Sequence, residues 1–140
     1  MHPSQLQLEV TESLAAQDQQ VQQRLHELKA IGITLALDDF GTGYSSLSSL
    51  HQLPVDTVKI DRSFVCQADT SQHHRVLIEA TVKVAQSLGM NTVAEGIETE
   101  AQAAAVRGQQ CAKGQGYLFS RPLTSAALLD WLRAGLYEAA

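Results

Sequence analysis

The sequence of 140 residues contains no run of lysine and arginine, and its formal net charge is −5. A nucleic-acid duplex or an anionic membrane surface is bound by a basic face, so neither is expected as the main partner. A small phosphorylated ligand is still compatible with this charge, because a bound metal ion can invert the local field.

The sequence also has little cysteine and no long apolar run. Cys66 and Cys111 form no CxxC pair, and we interpret them as small buried or loop residues in a reducing compartment. No apolar stretch approaches the roughly 20 residues that a membrane span needs. The start, MHPSQLQLEV, shows no signal-peptide pattern. We therefore expect one domain, cytoplasmic and without membrane contact.

The pattern that is present is an alternation of strands and helices. The second strand is apolar throughout, and the fifth is weak because two glycines interrupt it. The helices between the strands are predicted to stop at Gly32 and Gly89. The longest helix carries Val76, Ala80, Val84 and Leu88 on one stripe. The five predicted strands cover residues 6–10, 33–38, 56–61, 91–96 and part of 113–119.

This order of elements indicates an α/β fold with a parallel sheet and helical crossovers. A β/α barrel uses roughly 31 residues for each strand–helix unit, so the chain holds about five units. Composition and periodicity leave two architectures open. One is an open five-stranded sheet, and the other is a partial (β/α) TIM-like barrel whose first strands are missing.

Polar residues fall at the C-terminal ends of the predicted strands, where parallel α/β folds build their sites. Carboxylate ligands without histidine or thiolate suit a hard cation such as Mg²⁺ or Mn²⁺. Two such ions can clamp a phosphodiester and activate water between them. The residues concerned, in strand order, are Glu9, Asp38, Asp39, Lys59, Asp61, Glu95 and Gln115.

Each of these residues also has a simpler interpretation. A strand-end acid taken alone is more often a helix cap or a solvated residue. Asp61 would then pair with Lys59 or Arg62, and Glu12 would cap the helix that follows it. His73–His74 is placed in a polar loop as ordinary surface.

The stretch GTGYSS, residues 41–46, invites a different hypothesis, a dinucleotide-binding glycine loop after a strand. That motif needs bare backbone N–H groups facing the pyrophosphate. Asp38 and Asp39 would face the same phosphates without a counter-charge, so a metal-dependent site is favoured.

Five stretches together resemble the EAL domains, the cyclic di-GMP phosphodiesterases of bacteria. They are LEVTES (8–13), LDDFGTGYSSL (37–47), VKIDRSFV (58–65), VAEGIET (93–99) and QGYLFSRPL (115–123). The resemblance implies a modified β/α barrel with one antiparallel strand. It also implies hydrolysis of cyclic di-GMP to linear pGpG with Mg²⁺ or Mn²⁺.

The resemblance assigns roles to individual residues. Glu9 and Asp38 match ligands of one metal, whereas Asp38, Asp39 and Glu95 match ligands of the second. Lys59 matches the residue that holds the catalytic water, and Glu95 is also assigned as the base. The other implied roles are substrate binding by Gln115 and Asp61 and loop stabilisation by Glu12.

The family's Glu-Ala-Leu motif is absent, as is the strand that bears an asparagine ligand. Both would precede Met1, so residues 1–140 are expected to be the C-terminal part of a single EAL domain, inactive in isolation. Exposed strand edges and an apolar interior face are expected to drive homo-oligomerisation. The parent is expected to carry sensor or diguanylate cyclase domains. A non-catalytic cyclic di-GMP receptor or protein-interaction module is the alternative.

Overall fold

The computed structural model describes residues 2–15, 19–41 and 47–135 of the chain. Five strands form one sheet within these residues. The strands are β1 (Gln7–Thr11), β2 (Thr34–Phe40), β3 (Thr57–Ile60), β4 (Asn91–Ala94) and β5 (Lys113–Gly114).

Helices occupy the segments between the strands and after the last of them. The helices are α1 (Glu12–Ala15), α2 (Gln19–Ile31), α3 (Arg62–Val65), α4 (Gln72–Ser87), α5 (Glu100–Gly108) and α6 (Ser125–Arg133). Short 3₁₀ turns add Pro3–Gln5 and Leu47–Gln52. No helix among the described residues is both long enough and apolar enough to cross a bilayer.

The strands are parallel, and their order in the sheet is their order in the chain. Crossovers between parallel strands are almost always right-handed, so consecutive crossovers in one direction place all helices on the same face. A doubly wound sheet would instead reverse its strand order. The sequential order is that of a barrel segment, which confirms the partial TIM-like barrel.

Packing shows which face of the sheet the helices cover. Leu37 of β2 and Val58 of β3 pack in one apolar cluster with Leu25 of α2. Ile60 of β3 and Ala94 of β4 pack in a second cluster with residues of α4 and α5. These strand residues lie at adjacent or alternate positions of paired strands, so they share one face.

The opposite face of the sheet is mostly polar. Glu9 pairs in register with Ala36, Ala36 with Thr57, and Thr57 with Asn91. Lys59 lies on the same face two residues further along β3. The expectation of an apolar interior face is therefore wrong, because the side chains that point away from the helices are largely those that build the site.

The last three helices, α4, α5 and α6, begin after residues whose side chains accept backbone N–H groups. Ser71 caps α4, Thr124 caps α6, and Thr99 caps α5 in a capping box with Gln102. Each cap satisfies donors that the first turn of a helix leaves unpaired.

Two predictions about α4 are wrong. Its buried residues are Ile78, Thr81, Val82 and Ala85, whereas Val76 and Leu88, at the two ends of the predicted stripe, are exposed. The buried residues form one stripe with the usual i, i+3, i+4, i+7 spacing, and this stripe is rotated around the helix from the predicted one. His73–His74 lies in the first turn of α4 and not in a loop. The fifth strand is real but only two residues long.

Candidate active site

A bulge in β2 answers why two aspartates stand side by side at the end of a buried strand. Leu37 pairs with Val58 and Phe40 with Ile60, so two residues of β2, Asp38 and Asp39, oppose the single residue Lys59 of β3. Bulges of this kind re-aim side chains and are frequent beside active sites. Neighbouring strand residues normally point to opposite faces, and the bulge relaxes that rule here.

The backbone of Asp39 shows how the bulge is made. Its φ is 54°, in the left-handed region that aspartate and asparagine tolerate better than most residues. One carboxylate oxygen from each of Asp38, Asp39 and Glu95 can be chosen so that all three lie within 4.8 Å of one another. The second predicted ligand set is thus brought together by the fold.

The side chain of Lys59, on β3, contacts carboxylates from β1, from β2 and from the residue that follows β4. Its Nζ is 2.8 Å from Glu9 Oε2, 2.9 Å from Asp38 Oδ1 and 2.8 Å from Glu95 Oε1. Only 8% of its side chain is exposed. Glu9 and Asp38, the ligands predicted for the first metal, therefore both contact the same ammonium group.

Burial and neighbouring charges act on the pKa of both Lys59 and Glu95, and both pKa values lie above their ordinary values. Burial lowers the pKa of Lys59, but hydrogen bonds to Glu9, Glu95 and Asp38 outweigh it and hold that pKa above its ordinary value. Burial raises the pKa of Glu95, and repulsion from Asp38 and Glu9 adds to this against the lowering effect of Lys59. A raised pKa makes a carboxylate a stronger base.

Two neighbouring strands hold Glu95 in place. Its backbone N–H donates to Ile60 O at 3.0 Å, directly after β4. Gln115, directly after β5, donates from Nε2 to Glu95 Oε1 at 2.7 Å. Gln115 thus contacts the predicted base itself.

The turn that follows Glu95 depends on a glycine. Gly96 has φ +70°, and a Cβ at this position would lie 2.4 Å from Cγ of Arg62. Arg62 lies across the turn and pairs with Glu98 at 2.7 Å. Any larger residue at position 96 would collide with the Arg62 side chain.

Glu12 and Asp61 occupy supporting positions. Glu12 is buried and accepts from Gly41 N at 3.3 Å, so it holds the backbone just after Phe40. The following loop, which includes most of GTGYSS, lies outside the described residues. Asp61 caps α3, with Oδ1 accepting from Ser63 N at 2.9 Å and Ser63 Oγ at 2.5 Å.

A cavity of about 450 Å³ opens beside Glu95 and Gln115. Arg62 and Arg121 line it, and the Arg121 guanidinium lies 4.6 Å from the centroid of the Tyr117 ring. Guanidinium groups recognise phosphate oxygens and planar bases. Arg62, Glu98, Tyr117 and Arg121 were missed in the sequence. The signal was available, because all four lie in segments that directly follow the ends of β3, β4 and β5.

The donor set fits a hard divalent cation. Carboxylates outnumber the one ammonium group, and oxygen is the ligand atom that Mg²⁺ and Mn²⁺ prefer. Asp38 Oδ1 is buried and contacts the Lys59 ammonium group at 2.9 Å. A buried carboxylate needs a cation as its partner, and a metal ion can also take that place.

The fold and the site define a class: a segment of a β/α barrel with an acidic site at the C-terminal ends of its strands. The family model "EAL domain" matches residues 1–122. The chain belongs to the EAL domain family.

The similar proteins are longer than this chain. The cyclic di-GMP phosphodiesterase NbdA of Pseudomonas aeruginosa is 47% identical over 136 residues, which are 96% of this chain and 17% of that protein. The crystal structure of the EAL domain of Mycobacterium smegmatis DcpA has 40% identity and a TM-score of 0.85, over 94% of this chain and 60% of that one.

A third similar protein, BlrP1 of Klebsiella pneumoniae, carries metals in its solved structures. Its manganese and cyclic di-GMP complex at pH 9.0 has 35% identity and a TM-score of 0.82, over 87% of this chain and 31% of that one. A calcium and cyclic di-GMP complex of the same protein has a TM-score of 0.83. Divalent metal binding is therefore known beside cyclic di-GMP on this fold.

Proposed function

We propose that this chain forms part of a cyclic di-GMP phosphodiesterase, which hydrolyses the bacterial second messenger to linear pGpG with Mg²⁺ or Mn²⁺. The observation that carries the proposal is the convergence of Glu9, Asp38 and Glu95 on Lys59, with Asp39 alongside. Membership of the EAL family and the function of NbdA support it.

Residues 1–140 are proposed to be the C-terminal part of one EAL domain within a multidomain signalling protein that carries sensor or cyclase domains. The chain spans 60% of the DcpA EAL domain and 17% of NbdA, which supports this reading. Turnover is accordingly proposed for the complete domain, and little or none for these residues alone.

Two ions are proposed to share the site. Glu9 and Asp38 would hold one, and Asp38, Asp39 and Glu95 would hold the other. Ions bound there would supply Lewis-acid activation of the phosphodiester and of the attacking water. Because of the bulge, the adjacent residues Asp38 and Asp39 could both act as ligands, Asp38 for both ions and Asp39 for the second.

The protein's own groups would position and deprotonate the nucleophile. Glu95 is the proposed general base, because burial and neighbouring carboxylates raise its pKa. Lys59 would hold the water or a phosphate oxygen as a point charge. Gln115 orients Glu95 through the bond to Oε1 and lines the cavity proposed for substrate.

A charge-matched pair of variants tests the proposal in the full protein that carries this chain. Glu95→Gln is expected to lower the rate of pGpG formation at least about 10²-fold, since it removes a base and a metal ligand. Glu79→Gln removes the same charge from the surface of α4, where Glu79 pairs only with Lys83 among the described residues, and should leave the rate unchanged.

The wild-type protein separates enzyme from receptor in the same assay. Binding of cyclic di-GMP without turnover, in the presence of Mg²⁺ or Mn²⁺, would contradict hydrolysis and favour the receptor. Full activity of Glu95→Gln would remove Glu95 from the mechanism.

A further inference from the structure

The Lys59 ammonium group has more carboxylate partners than any other cation among the described residues. It contacts Glu9, Asp38 and Glu95, each at 2.8 or 2.9 Å, and these acids come from β1, β2 and the end of β4. The other described lysines in ion pairs, Lys29 and Lys83, contact one carboxylate each.

These contacts are those of a counter-cation. Three oxygens surround one nitrogen, and all three belong to residues proposed above as metal ligands. Without a cation, like-charged carboxylates in a partly dry site would repel one another. The ammonium group therefore holds the ligands at close range in the protein without metal.

The same contacts conflict with metal binding. An ammonium group and a divalent ion that share Asp38 and Glu95 as partners lie close together, and like charges at such distances repel. We propose that Lys59 is the internal counter-cation of the metal-free site and that divalent ions displace its ammonium group from these carboxylates when they bind.

The inference, which rests on the proposed function, gives Lys59 a second role. It preserves the ligand geometry while no ion is bound, and displacement frees it to reach water or phosphate. The metal affinity is then set by a competition, so that removing Lys59 tightens metal binding even as it removes a group used in catalysis.

Manganese titration of the full protein, followed by electron paramagnetic resonance, measures this competition without any assay of activity. Lys59→Met keeps the length and the apolar stem of the side chain but removes the charge. We expect its Kd for Mn²⁺ to fall at least about 10-fold. Lys83→Met, which removes an equal charge from the surface, should bind Mn²⁺ like the wild type. A Kd for Lys59→Met that is unchanged or weaker overturns the proposal.

Melting of the metal-free proteins gives a second test. Asp38→Asn is introduced into the wild type and into Lys59→Met, after the metals have been removed with a chelator. If Lys59 neutralises Asp38, the change in Tm caused by Asp38→Asn should be more favourable in the Lys59→Met background, by about 3 °C or more. Equal changes in the two backgrounds overturn the proposal.

The two measurements separate this inference from the proposed function. If neither the wild type nor Lys59→Met binds Mn²⁺, the metal-dependent function fails, whereas the metal-free melting cycle still decides the role of Lys59. If Lys59→Met does not fold without metal, the added Asp38→Asn is expected to restore folding, and failure to do so overturns the proposal.

Discussion

Asp39 contributes to the site in two ways, through its backbone conformation and through its carboxylate. Its positive φ creates the bulge, and its carboxylate joins those of Asp38 and Glu95. Asparagine tolerates the same backbone region, whereas alanine does not, so two substitutions at one position separate the two requirements.

We expect Asp39→Asn and Asp39→Ala to weaken Mn²⁺ binding to a similar extent, because both remove the carboxylate. Asp39→Ala should in addition be less stable than Asp39→Asn by about 1 kcal/mol, the cost of a left-handed backbone for a residue with an ordinary Cβ. Urea unfolding of the metal-free variants measures the difference. Equal stabilities would mean that the bulge does not depend on the residue at position 39.

Asp61 caps α3 and is also proposed to bind substrate, and substitutions can distinguish these two roles. Partial burial raises its pKa, but hydrogen bonds from the Ser63 hydroxyl and amide groups outweigh this, and the pKa lies below its ordinary value. A group whose pKa is lower in the folded state stabilises the protein at neutral pH and loses that effect in acid.

Asp61→Ala is expected to lower the free energy of unfolding by about 1 kcal/mol at pH 7, the usual cost of a lost N-cap. The difference from the wild type should shrink as the pH falls below about 4, where the carboxylate of the unfolded chain takes up a proton. Denaturant unfolding between pH 7 and pH 3 measures it. A difference that does not vary with pH would contradict the charge-dependent cap.

Asp61→Asn is the matched control, because asparagine is also a good N-cap. It should retain most of the stability at pH 7. A raised KM for cyclic di-GMP in this variant would support substrate binding by Asp61, and an unchanged KM would leave Asp61 as a cap alone.

At the scale of elements, the segment after β5 is fastened to the segment after β4. Ile97 N donates to Gln115 O at 3.1 Å, and Leu118 N donates to Ile97 O at 3.0 Å. Gly116 lies between these bonds, and a Cβ there would be 2.1 Å from Ile97 O. Such a contact is possible only without a side chain.

Gly116→Ala is expected to push the two segments apart, break the bond between Gln115 and Glu95, and destabilise the protein by about 1–3 kcal/mol or more. Gly108→Ala, at the end of α5, has no atom within 4 Å of the new Cβ and serves as the control. Chemical denaturation compares the two. If Gly116→Ala were as stable as Gly108→Ala, the close approach would have no structural consequence.

The strands and helices could be predicted where the sequence pattern of the segment itself determines them. The parallel order of the strands and the helix stop before Gly32 followed from periodicity and glycine. The buried face of α4 did not, because it depends on which strands lie beneath the helix. The short length of β5 was not predicted either, since only Lys113 and Gly114 pair with β4.

The acidic residues of the candidate site could be proposed from the sequence, but their geometry could not. Carboxylates at strand ends identified Glu9, Asp38 and Glu95, since the ends of parallel strands share one edge of the sheet. The meeting of all three at Lys59 depends on register and on the bulge of β2, which no local pattern encodes. Arg62 and Glu98 lie in segments that follow strand ends, but their pairing across the turn at Gly96 depends on the three-dimensional structure.

At the scale of the whole molecule, the two edges of the sheet remain the basis for association. Among the described residues, β1 pairs only with β2, and β5 pairs only with β4. Unpaired edges recruit further strands. Large apolar side chains are also exposed near the C-terminal end, among them Tyr117, Leu129 and Leu132.

We expect the 140-residue chain, prepared alone, to form homo-oligomers that use these edges. Sedimentation equilibrium over a range of concentrations gives the mass of the species in solution. A compact monomer at micromolar concentration that melts cooperatively would contradict this prediction. The proposed complete EAL domain is the control, and with further strands at these edges it should not need to associate through them.

The sequential strand order also bears on how the chain folds. Each strand pairs with the strand that follows it in the sequence, so contacts in the sheet span a single strand–helix unit. The entropy lost on closing a loop grows with loop length, so pairing each strand with its neighbour in the sequence costs less than pairing strands across the whole chain. Each unit can therefore be added to its predecessor as the chain emerges from the ribosome, before later units have been synthesised.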